Sequence, residues 1–261
     1  MPAYEDVRYE TESGIATVRI DRPAVKNAFT RNTIAELNDA LARVTEDDVY
    51  ALVFGGTDDA FCAGADVRDM PNWGEGSIEE YAGYLWAVQN VVRRLRELPI
   101  PTVGAVAGPA VGAGCDFALA CDLRTIAPDG FFREGFVRIG LIPGDGGGWL
   151  LPRLIGEAKA REYLLTGRDI TPEDAVDLGL AVEVTDEPDV VARDLAVELR
   201  DLPARAVRRT KALIDADQSF EDYCERAIGY QWECVNDPEH QEAVSAFTAG
   251  REPSYDRPYE E

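Results

Sequence analysis

The chain has little of the chemistry that several protein classes require. Among its 261 residues there is one histidine, His240, and the five cysteines form no CxxC pair. A structural zinc site usually needs four Cys or His ligands at close spacing, so we predict no metal site. The odd number of cysteines and the missing basic, apolar leader favour a reducing cytoplasm. No apolar run approaches the length that spans a bilayer, so we expect no membrane partner.

Positive charge is also scarce. The sequence has 26 Lys and Arg against 49 Asp and Glu, for a formal net charge of -23, and its lysines are Lys26, Lys159 and Lys211. Nucleic-acid binding depends on neutralising phosphates, so this charge argues against such a partner. An acidic excess with Arg in place of Lys is typical of a salt-rich cytoplasm, where a Debye length of about 3 Å at 1 M salt screens self-repulsion.

Strand and helix patterns alternate over about the first half of the chain. Residues 7–20 alternate in polarity around Ser13-Gly14 and predict a hairpin. Thr30 or Asn32 can cap a helix to about Val44, and strands at 50–54, 102–107 and 123–126 flank a helix at 79–98. Helical patterns follow at 194–199, 203–215 and 220–247. We therefore predict an α/β core over 1–195, a helical subdomain over 196–261 and a frayed polar tail.

The most informative stretch is residues 104–122. An apolar strand ends in a cluster of Gly and Ala, and a helix pattern opens directly after it. That arrangement aims backbone N–H groups at a ligand over the helix start, where Asp116 falls in the first turn. The site would suit a carbonyl that becomes an oxyanion, with a carboxylate nearby to move a proton. A tight turn between a core strand and a packed helix would give the same pattern.

A second small-residue loop strengthens the first interpretation. Residues 61–68 read as a strand followed by a Gly-Ala loop. Two such loops can supply the paired N–H donors of an oxyanion hole.

Together the motifs resemble the crotonase superfamily, also called the enoyl-CoA hydratase/isomerase family. They occur in family order over essentially the whole chain: Asp21-Arg22-Pro23 with Asn27-Ala28, then 61–66, 104–122, 139–147, 151–153 and 165–168. The resemblance implies a ββα-repeat core, a C-terminal helical oligomerisation subdomain, and a homotrimer or dimer of trimers. It also implies an acyl-CoA thioester substrate and no separate cofactor, since coenzyme A is part of the substrate.

The resemblance assigns the oxyanion hole to the N–H groups of Ala65 and Ala113. Family hydratases carry two catalytic glutamates; the first matches Asp116, whereas the second matches Phe136, which cannot transfer a proton. Glu134 precedes Phe136 by two residues, so on an extended segment both would face one way. Alternatively, Glu134 is a surface carboxylate, or one that forms a salt bridge with Arg133 or Arg138.

Asp145 is a third candidate acid, in the turn before a helix. Some family isomerases carry a catalytic aspartate one position earlier, where this chain has Gly144. The alternative role of Asp145 is a helix N-cap or first-turn acid.

Further positions match the substrate-binding surface of the family. Arg68 matches a phosphate-contacting lysine, and Lys26 precedes the adenine and pantetheine wall at Ala28. Phe247 and Arg251 lie where a neighbouring subunit contributes to the nucleotide in relatives. The remaining predicted contacts of the acyl-CoA are Ala63, Asp66, Gly112, Phe136 and Trp149.

Three functions are compatible with these residues. Hydration of a 2-enoyl-CoA is the default chemistry of the family. An isomerase of an enoyl-CoA, or of the ring 1,2-epoxyphenylacetyl-CoA type, would need only one carboxylate and fits Phe136 better on physical grounds. A non-catalytic acyl-CoA-binding protein is the alternative from another class.

Overall fold

The central element of the fold is a five-stranded sheet with the order β1-β2-β3-β4-β6. The computed structural model describes residues 4–68, 70 and 75–258. β1 (Val7–Glu12) pairs antiparallel with β2 (Ile15–Ile20) across Ser13-Gly14, which confirms the predicted hairpin. β2, β3 (Ala51–Gly56), β4 (Thr102–Val106) and β6 (Leu123–Ile126) then run parallel.

Both faces of the middle of this sheet are covered, because successive residues of β3 enter two different cores. Leu52 and Phe54 join the larger core with α1 (Arg31–Val44) and α2 (Ile78–Glu97). Ala51 and Val53 face the other way, against α7 (Pro188–Arg200). Of the two predicted caps of α1, Thr30 and Asn32, Thr30 takes the role. A parallel sheet buried on both faces is expected to consist of continuous apolar runs, as β3 does.

The segment before the predicted site helix differs from the expectation. The helix α3 (Ala113–Ala120) does not follow β4 directly, because β5 (Pro109–Val111) lies between them. β5 pairs in parallel with β7 (Phe131–Arg133) in a second, two-stranded sheet. The expected strand at the start of 61–68 is also wrong: Cys62 and Ala65 form only isolated bridges, to Ala110 and Phe29. The bridge between Cys62 and Ala110 holds the two small-residue loops against each other.

Four helices follow β7: α4 (Gly147–Ile155), α5 (Glu157–Thr166), α6 (Pro172–Asp177) and then α7. α7 runs continuously across the expected boundary between residues 195 and 196. Its Ala192 and Ala196 are fully buried against the sheet. A division after α7 therefore fits the packing better than one inside it.

The last three helices are α8 (Ala204–Asp215), α9 (Phe220–Val235) and α10 (Pro238–Ala249). The prediction of a single helix over 220–247 is wrong, because the helix is interrupted at Asn236 and Asp237. Pro238 lacks an N–H and begins α10, while the Asp237 carboxylate accepts the Glu239 N–H at 3.0 Å. α8 and α9, all of whose residues are described, contain no fully buried residue. Large apolar side chains are exposed on these helices: Ile214, Phe220, Ile228, Trp232, Val244 and Phe247.

The tail, expected to be frayed, is anchored at Arg257, and its last three residues lie outside the described part of the chain. The Arg257 side chain is 3% exposed and donates to the carbonyls of Arg200 and Leu202. It also pairs with Glu239 at 2.9 Å. Among the residues described, no helix combines the length and apolar character needed to cross a membrane.

Candidate active site

The two small-residue loops lie side by side. The Cys62 N–H donates to the Pro109 carbonyl at 3.0 Å, and the Val111 N–H donates to the Cys62 carbonyl at 2.9 Å. The chains run parallel here, with Cys62 opposite Ala110. Ala65 and Ala113 each come three residues after this bridge, so the two stretches advance in the same direction by the same number of residues.

The N–H groups of these two alanines are available. Ala113 is the first residue of α3, so its N–H has no partner within the helix. Around Ala65, the Phe29 N–H donates to the Gly64 carbonyl and the Asp66 N–H to the Phe29 carbonyl. Neither alanine N–H donates to an acceptor in the described part of the chain. An oxyanion hole formed by the pair stays a prediction, to which this arrangement lends support.

Gly112 sets the direction in which α3 begins. Its φ of +55° is a conformation that residues with a Cβ rarely adopt, and its N–H donates to the Arg133 carbonyl at 2.8 Å. A Cβ at this position would lie 3.5 Å from the Phe136 ring. Phe136 therefore packs beside the start of α3, next to the proposed donors.

Two buried carboxyl groups meet beside this helix start. Asp116, in the first turn of α3, is 0% exposed, and Glu134, directly after β7, is 2% exposed. Gly147 is the first residue of α4, and a Cβ on it would overlap both Asp116 Oδ1 and Glu134 Oε1. Three separate elements thus bring the two carboxyl groups to one point.

The surroundings of Glu134 correct two expectations. Residues Gly135–Ile139 form a 3₁₀ turn, so Glu134 and Phe136 do not alternate on an extended segment. Glu134 is not paired with its neighbouring arginines either. Arg133 forms a bidentate ion pair with Asp169, and Arg138 donates to the Thr166 carbonyl.

The electrostatics of the pair are unusual for a folded interior. None of the four carboxyl oxygens has a hydrogen-bonding partner of normal geometry within the described residues. Burial raises the pKa of Asp116 well above its usual range, and the neighbouring Glu134 raises it further. Burial likewise raises the pKa of Glu134. Both shifts favour the protonated form, and the pKa of Glu134 is raised to about 7, where acid–base catalysts work.

Asp145 is near enough to act electrostatically on both groups. Burial raises the pKa of Asp145 to about 6, and its charge raises the pKa values of Asp116 and Glu134. The alternative role as an N-cap is wrong, because Gly146 occupies that position and no side chain caps α4. The N-termini of α3 and α4 partly offset the charge of the cluster.

The predicted phosphate ligand is held by a buried acid. Asp66, 5% exposed, accepts two hydrogen bonds from the Arg68 guanidinium, at 2.8 and 2.5 Å. Arg22 lies 3.7 Å away on the same carboxylate. The Arg68 hydrogen bonds hold the pKa of Asp66 well below its usual range. Asp66 is thus placed to position Arg68 rather than to contact an anionic substrate itself.

Three more predicted contacts of the acyl-CoA, Ala63, Lys26 and Ala28, lie in or next to the small-residue loop at 61–68. The Ala63 N–H donates to the Lys26 carbonyl at 3.0 Å, and the exposed Lys26 ammonium pairs with Asp59 at 2.5 Å. Ala28 is buried, and its carbonyl accepts a hydrogen bond from Arg22.

Three predicted contacts lie away from the carboxyl pair within the single chain. Trp149 is stacked between Arg96 and Arg153, at 4.4 and 3.7 Å from its ring centre. It lines a cavity of about 860 Å³ toward α8, which Asp116 and Glu134 do not line. Phe247 is 89% exposed on α10, and Arg251 pairs with Glu242 at 2.5 Å.

Sequence reasoning did not single out Gly147 or Cys115. Gly147 was one of three consecutive glycines, a pattern that indicated a turn but not which glycine approaches the acids. Cys115 is fully buried with Glu134 and Asp116 facing its thiol, and burial raises its pKa. In the described ranges, no group of three or more His, Cys, Asp or Glu residues could hold a metal ion.

Comparison with known proteins agrees with this fold. The family described as Enoyl-CoA hydratase/isomerase matches residues 10–258. Crotonyl-CoA hydratase of Syntrophomonas wolfei is 30% identical over 261 residues, covering 97% of this chain and 98% of the relative. The 1,2-epoxyphenylacetyl-CoA isomerase of Escherichia coli K12 is 32% identical over 257 residues, covering 96% and 98%.

A solved structure from Streptomyces coelicolor A3(2), provisionally assigned to the enoyl-CoA hydratases, superposes with a TM-score of 0.93. It is 34% identical in sequence, and the match covers 98% of this chain and 96% of that one. The fold is therefore that of the crotonase superfamily, as the resemblance implied. The chain belongs to the enoyl-CoA hydratase/isomerase family and is an enzyme of that type.

Proposed function

We propose that this enzyme adds water across the double bond of a 2-enoyl-CoA. The observation that carries the proposal is the position of Asp116, buried in the first turn of α3 beside the available Ala113 N–H. The relative from S. wolfei is named for this reaction on crotonyl-CoA.

In this proposal the thioester carbonyl accepts hydrogen bonds from the Ala65 and Ala113 N–H groups. Polarising the carbonyl withdraws electrons from the conjugated double bond, so water can attack Cβ and the charge collects on the carbonyl oxygen as an enolate. A donor aimed at such an oxygen is worth roughly 3–4 kcal/mol of barrier. Asp116 lies at the same helix start and transfers the proton.

Isomerisation is the second candidate, favoured by one observation. Phe136 stands where family hydratases have their second glutamate, and its ring packs against the start of α3. Moving a proton from one carbon to another needs a single carboxyl group and no activated water. The 1,2-epoxyphenylacetyl-CoA isomerase relative shows that the family includes isomerases.

The acyl-CoA is proposed to lie along the loop from Lys26 to Arg68, with the Arg68 guanidinium on a phosphate. Phe247 and Arg251 are proposed to reach the nucleotide of a neighbouring copy, in a homotrimer or dimer of trimers. The exposed apolar side chains of α8 to α10 support such an assembly. We expect no cofactor or metal, so activity should survive dialysis against EDTA.

The test compares Asp116→Asn with Asp129→Asn, a control at an exposed acid, using crotonyl-CoA and a 3-enoyl-CoA as substrates. Asp116→Asn should lower turnover at least about 10²-fold while leaving CoA affinity nearly unchanged. An unaffected rate would move the role to Glu134 or Asp145. A wild-type enzyme inactive on both substrates would reject this substrate assignment.

A structure with a bound acyl-CoA tests the oxyanion hole directly. Both alanine nitrogens should lie at hydrogen-bonding distance, about 3 Å, from the thioester oxygen. Nitrogens that face apart would refute this part of the proposal.

A further inference from the structure

We propose that Glu134 is the second acid–base group of this enzyme and shares a single proton with Asp116. The inference rests on the proposed function, since it assigns the half of water addition that Phe136 cannot perform. With Glu134 in this role the site has two catalytic carboxyl groups, and the second comes from a different position in the chain than Phe136.

The geometry depends on the end of β7. The strand stops at Arg133 and a 3₁₀ turn begins at Gly135, so Glu134 turns into the interior. Phe136, two residues later, packs against Gly112 instead. The acid and the aromatic ring thus occupy different sides of the same helix start.

Gly147 shows how close the two carboxyl groups are. Asp116 Oδ1 and Glu134 Oε1 each lie so close to the position that a Cβ on Gly147 would occupy that both would clash with it. This glycine is therefore required for the contact, because any larger residue would force the pair apart. Its N–H, at the start of α4, favours the charged form of Asp116.

Among the described residues, no cation is found to offset a double negative charge on the pair. The titratable groups that face the pair are the Cys115 thiol on α3 and the Asp145 carboxyl before α4, neither of which is positive. Arg133 is engaged by Asp169 on the other side of β7. Two adjacent buried carboxylates without a counter-ion cannot both ionise, so one proton stays between them at neutral pH. The shared proton also gives one oxygen of each carboxyl group a hydrogen bond to the other group.

A one-proton pair can complete hydration without another reactant. As the water oxygen bonds to Cβ, the charged carboxylate accepts a proton from the water. The neutral carboxyl then gives its proton to Cα as the enolate collapses. The first group now holds a proton and the second is charged, and their contact lets the proton return. In total, the water oxygen has gained a bond to Cβ and lost one proton, and Cα has gained one proton.

The kinetic test compares Glu134→Gln with Glu183→Gln, a control at an exposed glutamate. Crotonyl-CoA hydration by Glu134→Gln should fall at least about 10²-fold in kcat, with KM changed by less than about threefold. Glu183→Gln should match the wild type. Glu134→Asp, which keeps a carboxyl group, should recover part of the loss, whereas a purely structural role would not distinguish the two variants in this way.

If Glu134→Gln hydrates crotonyl-CoA at the wild-type rate, the inference is overturned. Loss of hydration with full retention of 3-enoyl-CoA isomerisation would support it, because isomerisation needs only Asp116. A wild-type enzyme inactive on both substrates would instead refute the proposed function.

The shared proton can be measured without any substrate. Infrared spectra in D₂O at neutral pD should show the C=O stretch of a protonated carboxylic acid in the wild type and in Glu183→Gln. The band should vanish in the Asp116→Asn/Glu134→Gln double variant. Its absence from the wild type would refute proton sharing even if the enzyme hydrates crotonyl-CoA.

Discussion

Two helices, α3 and α9, place acidic residues in their first turns with opposite results. All eight residues of α3 are buried, and Asp116 has no capping role there. In α9 the acid Asp222 lies in a capping box with Ser219, and none of the helix's 16 residues, each of them described, is fully buried. The same residue type is therefore a stabilising cap on one helix and a reactive group on the other, depending on what packs around it.

The two helices also differ in what covers their side chains. α3 is enclosed by its own chain, with Gly114 packed directly on Cys62. α9 leaves Phe220, Ile228 and Trp232 more than two-thirds exposed. Apolar exposure on this scale is typical of an interaction surface. Site formation therefore depends on packing within the chain, whereas the helical region is predicted to depend on a second copy.

The largest expected effect is on assembly through α9. Ile228→Asp/Trp232→Asp places two charges in the apolar face, so the proposed trimer should dissociate while circular dichroism still reports a folded core. Gln231→Asp adds a charge on the same helix at a polar, exposed position and should leave the mass unchanged. Light scattering measures the difference. A wild-type monomer, or an unaffected double variant, would contradict the role of α9.

The next largest effect is expected from lowering the salt concentration, which should weaken subunit contacts before it unfolds the core. With a net charge of -23, lowering KCl from molar to about 0.01 M lengthens the Debye length to about 30 Å. Repulsion should loosen subunit contacts first, because interfaces bring like-charged surfaces together, and unfold the chain afterwards. Light scattering and circular dichroism across a salt series would follow both steps. Full stability and an unchanged mass in dilute buffer would refute the expectation.

A matched pair of glycines then compares packing in α3 and α9. A Cβ on Gly114 would overlap the Cys62 carbonyl oxygen and lie 2.7 Å from Cys62 Cβ. Gly114→Ala should therefore destabilise the protein by about 1–3 kcal/mol. Gly229, in α9, has nothing within 4 Å of its would-be Cβ, so Gly229→Ala should stabilise by about 0.5–1 kcal/mol. Denaturant titration at fixed salt gives both values; equal effects would show that α3 is not tightly enclosed.

The smallest expected effect is the pH dependence of stability from the buried acids. Their pKa values are raised on folding, so their contribution to stability is fully present below the unfolded pKa, near 4, and is lost as pH rises through the folded values. Replacing both acids with amides in Asp116→Asn/Glu134→Gln should raise stability at pH 8 relative to wild type by at least about 1.4 kcal/mol, the worth of one pKa unit.

The difference between this double variant and wild type should shrink toward pH 4, where the wild-type acids are neutral. Thermal unfolding at a series of pH values measures it, with Asp129→Asn as the exposed control. A constant difference from pH 4 to pH 8 would mean that the pair titrates normally.

Much of the local structure could be predicted from sequence because its signals are local. The hairpin at Ser13-Gly14, the cap at Thr30 and the helix that carries Asp116 each depend on neighbouring residues. The failures involve short or distant pairings. β5 pairs with β7, and a three-residue strand has too few residues to show a period. The break at Asp237 is different, because it has a local signal in Pro238, which begins α10.

By itself the sequence determined the class of fold, the family and the two loops that carry Ala65 and Ala113. Motif order and apolar periodicity contain that information, because they depend only on position along the chain. The tertiary structure alone decided which acids meet. Whether Glu134 is a surface ion pair or a buried partner of Asp116 depends on where β7 stops and how closely Gly147 lets α4 approach. Burial and proximity set the charge of such a pair, and neither can be read from residues 13 positions or more apart in sequence.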